Sequence, residues 1–175
     1  MPKRRRCRPL VWLAVGGIFL LCGLCQNLLP LWLPVWCGRP LFLVPLCVVC
    51  GMCGGTVAGM AAGTLAAVLW STAADAPFGV YALLLAAIGC TAGQLVERLL
   101  RNNALVLWLL CSGAVVGFGI ADCLCLRLPY LGAGALSFWW HTTLPNMLCT
   151  WVLGLPLCVA VWAIAGKTDS EVARE

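Results

Sequence analysis

The chain has 175 residues, of which 63% are apolar and 10% charged, and its mean hydropathy is +1.00. A soluble domain carries roughly 45–50% apolar and about 25% charged residues, so this composition cannot supply a water-facing surface. The formal net charge of +5 does not point to nucleic acid either, because five of the eleven basic residues (Lys3, Arg4, Arg5, Arg6 and Arg8) precede the first apolar run.

Such a cluster holds an N-terminus on the cytoplasmic side and attracts anionic lipid heads. It also mimics a secretory signal, but no small-residue cleavage site follows Leu10–Leu24, and an uncleaved signal anchor fits the later apolar runs better. Beyond it, 30 uncharged residues separate Arg8 from Arg39, 35 separate Arg39 from Asp75, and 39 separate Arg127 from Lys167. About 20 apolar residues suffice to cross a bilayer as a helix. The expectation is an all-α integral membrane protein. A single transmembrane domain over residues 9–166 lies between a basic tail, 1–8, and a polar tail, 167–175.

In chain order, the first helix is expected from Arg8 to Leu29, closed by Pro30 and Pro34. Trp32 and Trp36 follow, where aromatic rings favour the membrane interface. Arg39-Pro40 opens a short second helix, Leu41 to Cys53, with a bend at Pro45. Gly54-Gly55 marks a tight turn or a close approach, and the third helix covers Thr56 to Ala73. The loop Ala74-Asp75-Ala76-Pro77-Phe78-Gly79 is rich in turn residues. A fourth helix runs from Val80 to Arg98, and Arg101, Asn102 and Asn103 complete a polar connection. The fifth spans Ala104 to Leu124 and ends before Arg127-Leu128-Pro129. The last uncharged stretch reads as an interfacial segment, Tyr130–His141, and a sixth helix, Leu144–Ala165. With the N-terminus inside, nine basic residues are cytoplasmic and two, Arg39 and Arg127, are outside. That asymmetry favours six spans with both termini cytoplasmic.

Glycines form the clearest motif. Gly51, Gly55, Gly59 and Gly63 recur every four residues, and i and i+4 lie one above the other on a helix. Shorter copies occur at Gly89/Gly93 and at Gly113/Gly117. Lipid chains are as apolar as leucine, so membrane helices associate through close packing of small residues. These rows therefore serve either packing within the chain or docking of a partner's helix.

Polar residues inside a membrane are costly and informative. Asp122 is the carboxylate expected within lipid depth, able to pair with Arg127 or to reach the interface. Glu97 and Arg101 form an i, i+4 pair at a helix end. Arg39 reads as a snorkelling cation or an extracytoplasmic contact, and Asn146 as a cap or an interhelical contact. His141 follows two tryptophans at the interface. Thirteen cysteines lie mostly in apolar runs, where they act as small hydrophobes. The run Cys47-x2-Cys50-x2-Cys53 lacks a fourth cysteine, a histidine and a polar shell, so no metal or other cofactor is expected. No pair of acids is spaced for acid–base work or for a divalent cation, and the expectation is a protein that is not an enzyme.

The order of motifs resembles the bacterial rod-shape-determining MreD family. The likeness spans about Leu10 to Ala165. It rests on Gly55-x3-Gly59-x3-Gly63 and on Pro77-Phe78-Gly79-Val80-Tyr81-Ala82-Leu83. A helix with Gly89 and Gly93 ending in Glu97-Arg98 follows. Leu28-Leu29-Pro30, Arg39-Pro40, Leu144-Pro145-Asn146 and Leu155-Pro156-Leu157 complete it. Many members carry an acidic residue six positions before the loop proline, where this chain has Ser71. The resemblance implies a non-enzymatic component of the cell-elongation complex (the elongasome) in the bacterial cytoplasmic membrane. Its implied partners are MreC and, through it, MreB, RodA and a class B penicillin-binding protein. Its implied role is in cell shape and lateral peptidoglycan synthesis. The substrate-binding membrane subunits of energy-coupling-factor (vitamin) transporters resemble it in size and architecture, and remain the alternative. A vitamin pocket would draw on Arg39, Asp75, Tyr81, Arg127, Tyr130 and His141.

Overall fold

A computed structural model describes residues 9–32, 40–74, 78–98, 103–132 and 134–172, and among these the fold is entirely helical. The elements are α1 (Pro9–Trp32), α2 (Leu43–Gly54), α3 (Thr56–Ala74), α4 (Phe78–Arg98) and α5 (Ala104–Asp122). α5 continues through a π-helical turn, Cys123–Arg127, into α6 (Leu128–Leu131). The last run joins α7 (Gly134–Phe138), α8 (Leu144–Cys149) and α9 (Leu155–Val172) through π-helical turns at Trp139–Thr143 and Thr150–Gly154. Six continuous helical runs result among the described residues. Among the described residues, three stretches, Phe78–Arg98, Ala104–Cys125 and Gly134–Ala163, are long and apolar enough to cross a membrane. Val15–Leu28, Leu43–Gly54 and Thr56–Thr72 are shorter apolar helices.

Prolines account for the main departures from expectation. α1 runs through Pro30 to Trp32, the proline giving up a single bond of the helical ladder. The fifth run does not stop before Pro129, and the segment Tyr130–His141 is not separate from the sixth helix. Each π-helical turn instead ends two residues before a proline: Arg127 before Pro129, Thr143 before Pro145, Gly154 before Pro156. A proline lacks the N–H and presses its ring on the carbonyl four residues back. Widening the preceding turn lets the helix continue. Accordingly, Leu128 N–H donates to Cys123 O and Leu144 N–H to Trp139 O, both i to i−5 bonds.

α2 forms the centre. Its twelve residues are apolar almost all round, and Leu43 to Met52 are all buried, as expected for a helix without a polar face. At about 18 Å long it is shorter than a bilayer is thick, and its N-terminal end is satisfied by side chains from other runs. Leu41 N–H donates to Thr150 Oγ1 at 2.7 Å, and Leu43 N–H to Gln26 Oε1 at 3.2 Å. Gln26 and Thr150 are themselves buried, so each offsets an otherwise orphaned donor at a helix N-terminus. α2 ends at Gly55, whose φ of +83° requires glycine. There the chain reverses into α3.

α3 is rich in alanine and glycine and packs along α4 in antiparallel register. Gly59 faces Gly89, Gly63 faces Leu85, and Thr56 faces Gly93. Four hydroxyls on the two helices are satisfied locally. Thr64, Ser71, Thr72 and Thr91 each donate to the carbonyl three residues back, at 2.9–3.0 Å. That removes the cost of polar groups on an apolar surface.

Candidate functional site

Two features stand out: a glycine seam at the centre and a carboxylate network at one end. The seam is split between helices. Gly51 lies on α2, Gly55 at the reversal, and Gly59 and Gly63 on α3, so the four-residue row expected on one helix is folded into a hairpin. A Cβ on Gly51 would stand 2.5 Å from the Gly89 carbonyl oxygen and 3.1 Å from Gly93 N. One on Gly59 would stand 2.6 Å from the Gly89 carbonyl carbon and 3.0 Å from Gly51 Cα. A Cβ on Gly63 would meet the Leu85 backbone, and one on Gly93 would come within 2.7 Å of Thr56 Cα. Three backbones therefore touch at Gly51, Gly59 and Gly89. Such approach is available only without side chains.

Gly113 and Gly117 differ. Both are exposed on α5, and no described atom lies within 4 Å of where a Cβ would sit. Leu109, Val116 and Ile120 on the same helix are also exposed, at 54%, 42% and 47%. This row takes no part in packing among the described residues.

Near the Gly55 end, Glu97 crosses from α4 to α3. Its carboxylate accepts from Thr56 N–H at 3.1 Å and from the Thr56 hydroxyl at 2.8 Å. It thus caps the N-terminus of α3, where a negative charge is favoured. The expected partner, Arg101, lies outside the described residues.

At the opposite end, Asp122 is 8% exposed. Its Oδ1 accepts from the Tyr81 hydroxyl at 2.6 Å and its Oδ2 from Arg127 Nε at 3.4 Å. The π-helical turn between Asp122 and Arg127 is what lines up these i and i+5 residues. Tyr81 stacks with Trp70 and Phe118 at centroid separations of 5.8 and 6.0 Å, and Arg127 lies 4.6 Å over the Phe138 ring. Four elements (α3, α4, α5 and α7) thus converge on one buried carboxylate. Of the two expectations for Asp122, the pairing with Arg127 is present, with Tyr81 as a second partner.

Other expected residues are scattered. Arg39 and Pro77 lie outside the described residues, as does Asp75, and Gly79 is exposed with open space at its Cβ position. His141 is exposed in the π-helical turn Trp139–Thr143. Asn146 does not hydrogen-bond across helices through its amide oxygen, which is buried without a partner among the described residues. Its backbone carbonyl accepts from the Thr150 hydroxyl at 2.7 Å. Cys47 and Cys50 are buried, and among the described residues no group of three or more His, Cys, Asp or Glu is placed to hold a metal ion. Sequence reasoning missed Gln26 and Thr150, whose signal was a lone polar residue in an apolar run. Comparison of the chain with protein-family models, with curated proteins and with solved structures returns no match.

Proposed function

We propose that this chain is a six-span protein of the bacterial cytoplasmic membrane, with both termini inside, that works as a non-enzymatic scaffold in the manner of MreD. In this reading it binds MreC through transmembrane helices and, through MreC, joins MreB, RodA and a class B penicillin-binding protein in lateral wall synthesis. Six helical runs among the described residues, three of them long and apolar enough to cross a membrane, support a reading of six crossings. In that topology Glu97 and Arg98 lie on the cytoplasmic side, and Asp122 and Arg127 near the outer surface.

One observation carries the reading. The glycines spaced by four divide into those closed by the chain's own backbone (Gly51, Gly59, Gly63, Gly89, Gly93) and the pair left open on α5 (Gly113, Gly117). An open small-residue row among exposed leucine, valine and isoleucine suits a second helix docking at short range. Affinity purification from mild detergent tests the proposal. Stoichiometric MreC in the eluate is the expected result. An eluate holding the ATPases of a transporter, or a retained vitamin, would replace this reading with the substrate-binding-subunit alternative.

A further inference from the structure

We infer that Arg127 is the anchor of a phospholipid site, holding the headgroup phosphate where α5 emerges from the apolar part of the bundle; this rests on the membrane-spanning reading. The guanidinium is already aimed. Asp122 takes its Nε, and the Phe138 ring, 4.6 Å from the guanidinium carbon, supports one face. Its two terminal nitrogens have no acceptor among the described residues. The division of exposure is uneven, with 38% for the Arg127 side chain against 11% for Asp122. The carboxylate thus works from inside as a positioning group, with Tyr81 saturating its other oxygen, while the terminal fork remains accessible. A planar fork with two free nitrogens matches the oxygens of a phosphate.

The surroundings specify the source of that phosphate. Leu124, Leu128, Leu131, Leu136 and Trp140, on the elements flanking Arg127, are 44–74% exposed. An anion arriving from water would find apolar side chains around it. A lipid would lay its acyl chains on them and place its phosphate at Arg127, with Trp140 at headgroup level.

The test titrates lipids onto the delipidated full chain and reads bound adducts by native mass spectrometry. Phosphatidylglycerol and phosphatidylethanolamine should each form a one-to-one adduct, and a monoglucosyl diacylglycerol, which lacks phosphate, should not. Arg127→Gln should weaken the phospholipid adduct by about tenfold, the loss of a charge-assisted hydrogen bond. Phe138→Leu, which leaves every charge in place, should weaken it less. Should Arg127→Gln fail to elute as a single species, Phe138→Leu decides. Equal binding of the glycolipid, or phospholipid binding unchanged in the deciding variant, overturns the inference. Displacement of the lipid by inorganic phosphate at equal concentration also overturns it, in favour of a site for the free ion. Alkaline carbonate separates this from the broader reading. A chain washed out of membranes by carbonate sinks the membrane assignment, whereas a retained chain without phosphate preference sinks the lipid site alone.

Discussion

Replacing Gly59 by alanine adds one methyl group where α2, α3 and α4 meet. That carbon would sit 2.6 Å from the carbonyl carbon of Gly89 and 3.0 Å from Gly51 Cα. Carbon atoms settle at about 3.5–4.0 Å, so α4 must retreat from α3 by about 1 Å. The obstacles are backbone atoms of two helices, which no rotamer change can move aside. Overpacking of this kind costs typically about 1–3 kcal/mol, and the upper half of that range is expected because the seam continues through Gly63 and Gly93. The same change at Gly113 meets nothing within 4 Å. There alanine should be neutral or stabilise by up to about 1 kcal/mol, since glycine is a poor helix former. Thermal unfolding in one detergent, followed by size-exclusion fluorescence, compares the two. Gly59→Ala should melt several degrees below the parent and Gly113→Ala at or slightly above it. Equal melting of Gly59→Ala and the parent would show that the three backbones are not in contact.

Thr150→Val removes the acceptor of the buried Leu41 N–H and should cost about 1–3 kcal/mol, read in the same melting assay, while Thr150→Ser should retain most of the stability. Tyr81→Phe deletes the 2.6 Å bond to Asp122 while keeping the ring in its aromatic cluster. A bond to a charged group contributes about 1.5–3 kcal/mol, and an unchanged midpoint would mean that the carboxylate finds another donor. Reporter fusions after Asn103 and Lys167 should report cytoplasm, and fusions after Asp75 and near Arg127 the outside; a cytoplasmic signal at Asp75 overturns the six-span topology. Elemental analysis of the purified chain should find less than stoichiometric iron and zinc, because Cys47 and Cys50 point into the packed core without a polar shell.

The helices were legible wherever an apolar run lay between charges or turn residues, and the reversal at Gly54-Gly55 was readable from the glycine pair alone. The glycine row was legible as a motif but not as a shape. Spacing by four places residues on one face only if the helix is unbroken, and Gly55 breaks it, so Gly51 and Gly59 meet across a hairpin. Pro129 misled because a proline normally ends a helix. The apolar packing on either side keeps this helix going, and the π-helical turn absorbs the misfit. The pairs Tyr81–Asp122 and Thr56–Glu97 are each 41 residues apart, and no local pattern announces a tertiary hydrogen bond. Asp122 was readable as a costly charge needing a partner, and Arg127 was nearby in sequence, but nothing signalled the tyrosine.

The claim that matters most is that the chain folds with one set of glycines and docks with another. Leucine at Gly117 tests it directly, measured as MreC captured per unit of monodisperse chain in mild detergent. The account predicts parental yield and melting temperature together with loss of MreC. Full capture by the Gly117→Leu chain would contradict it and remove the open α5 face as the docking surface.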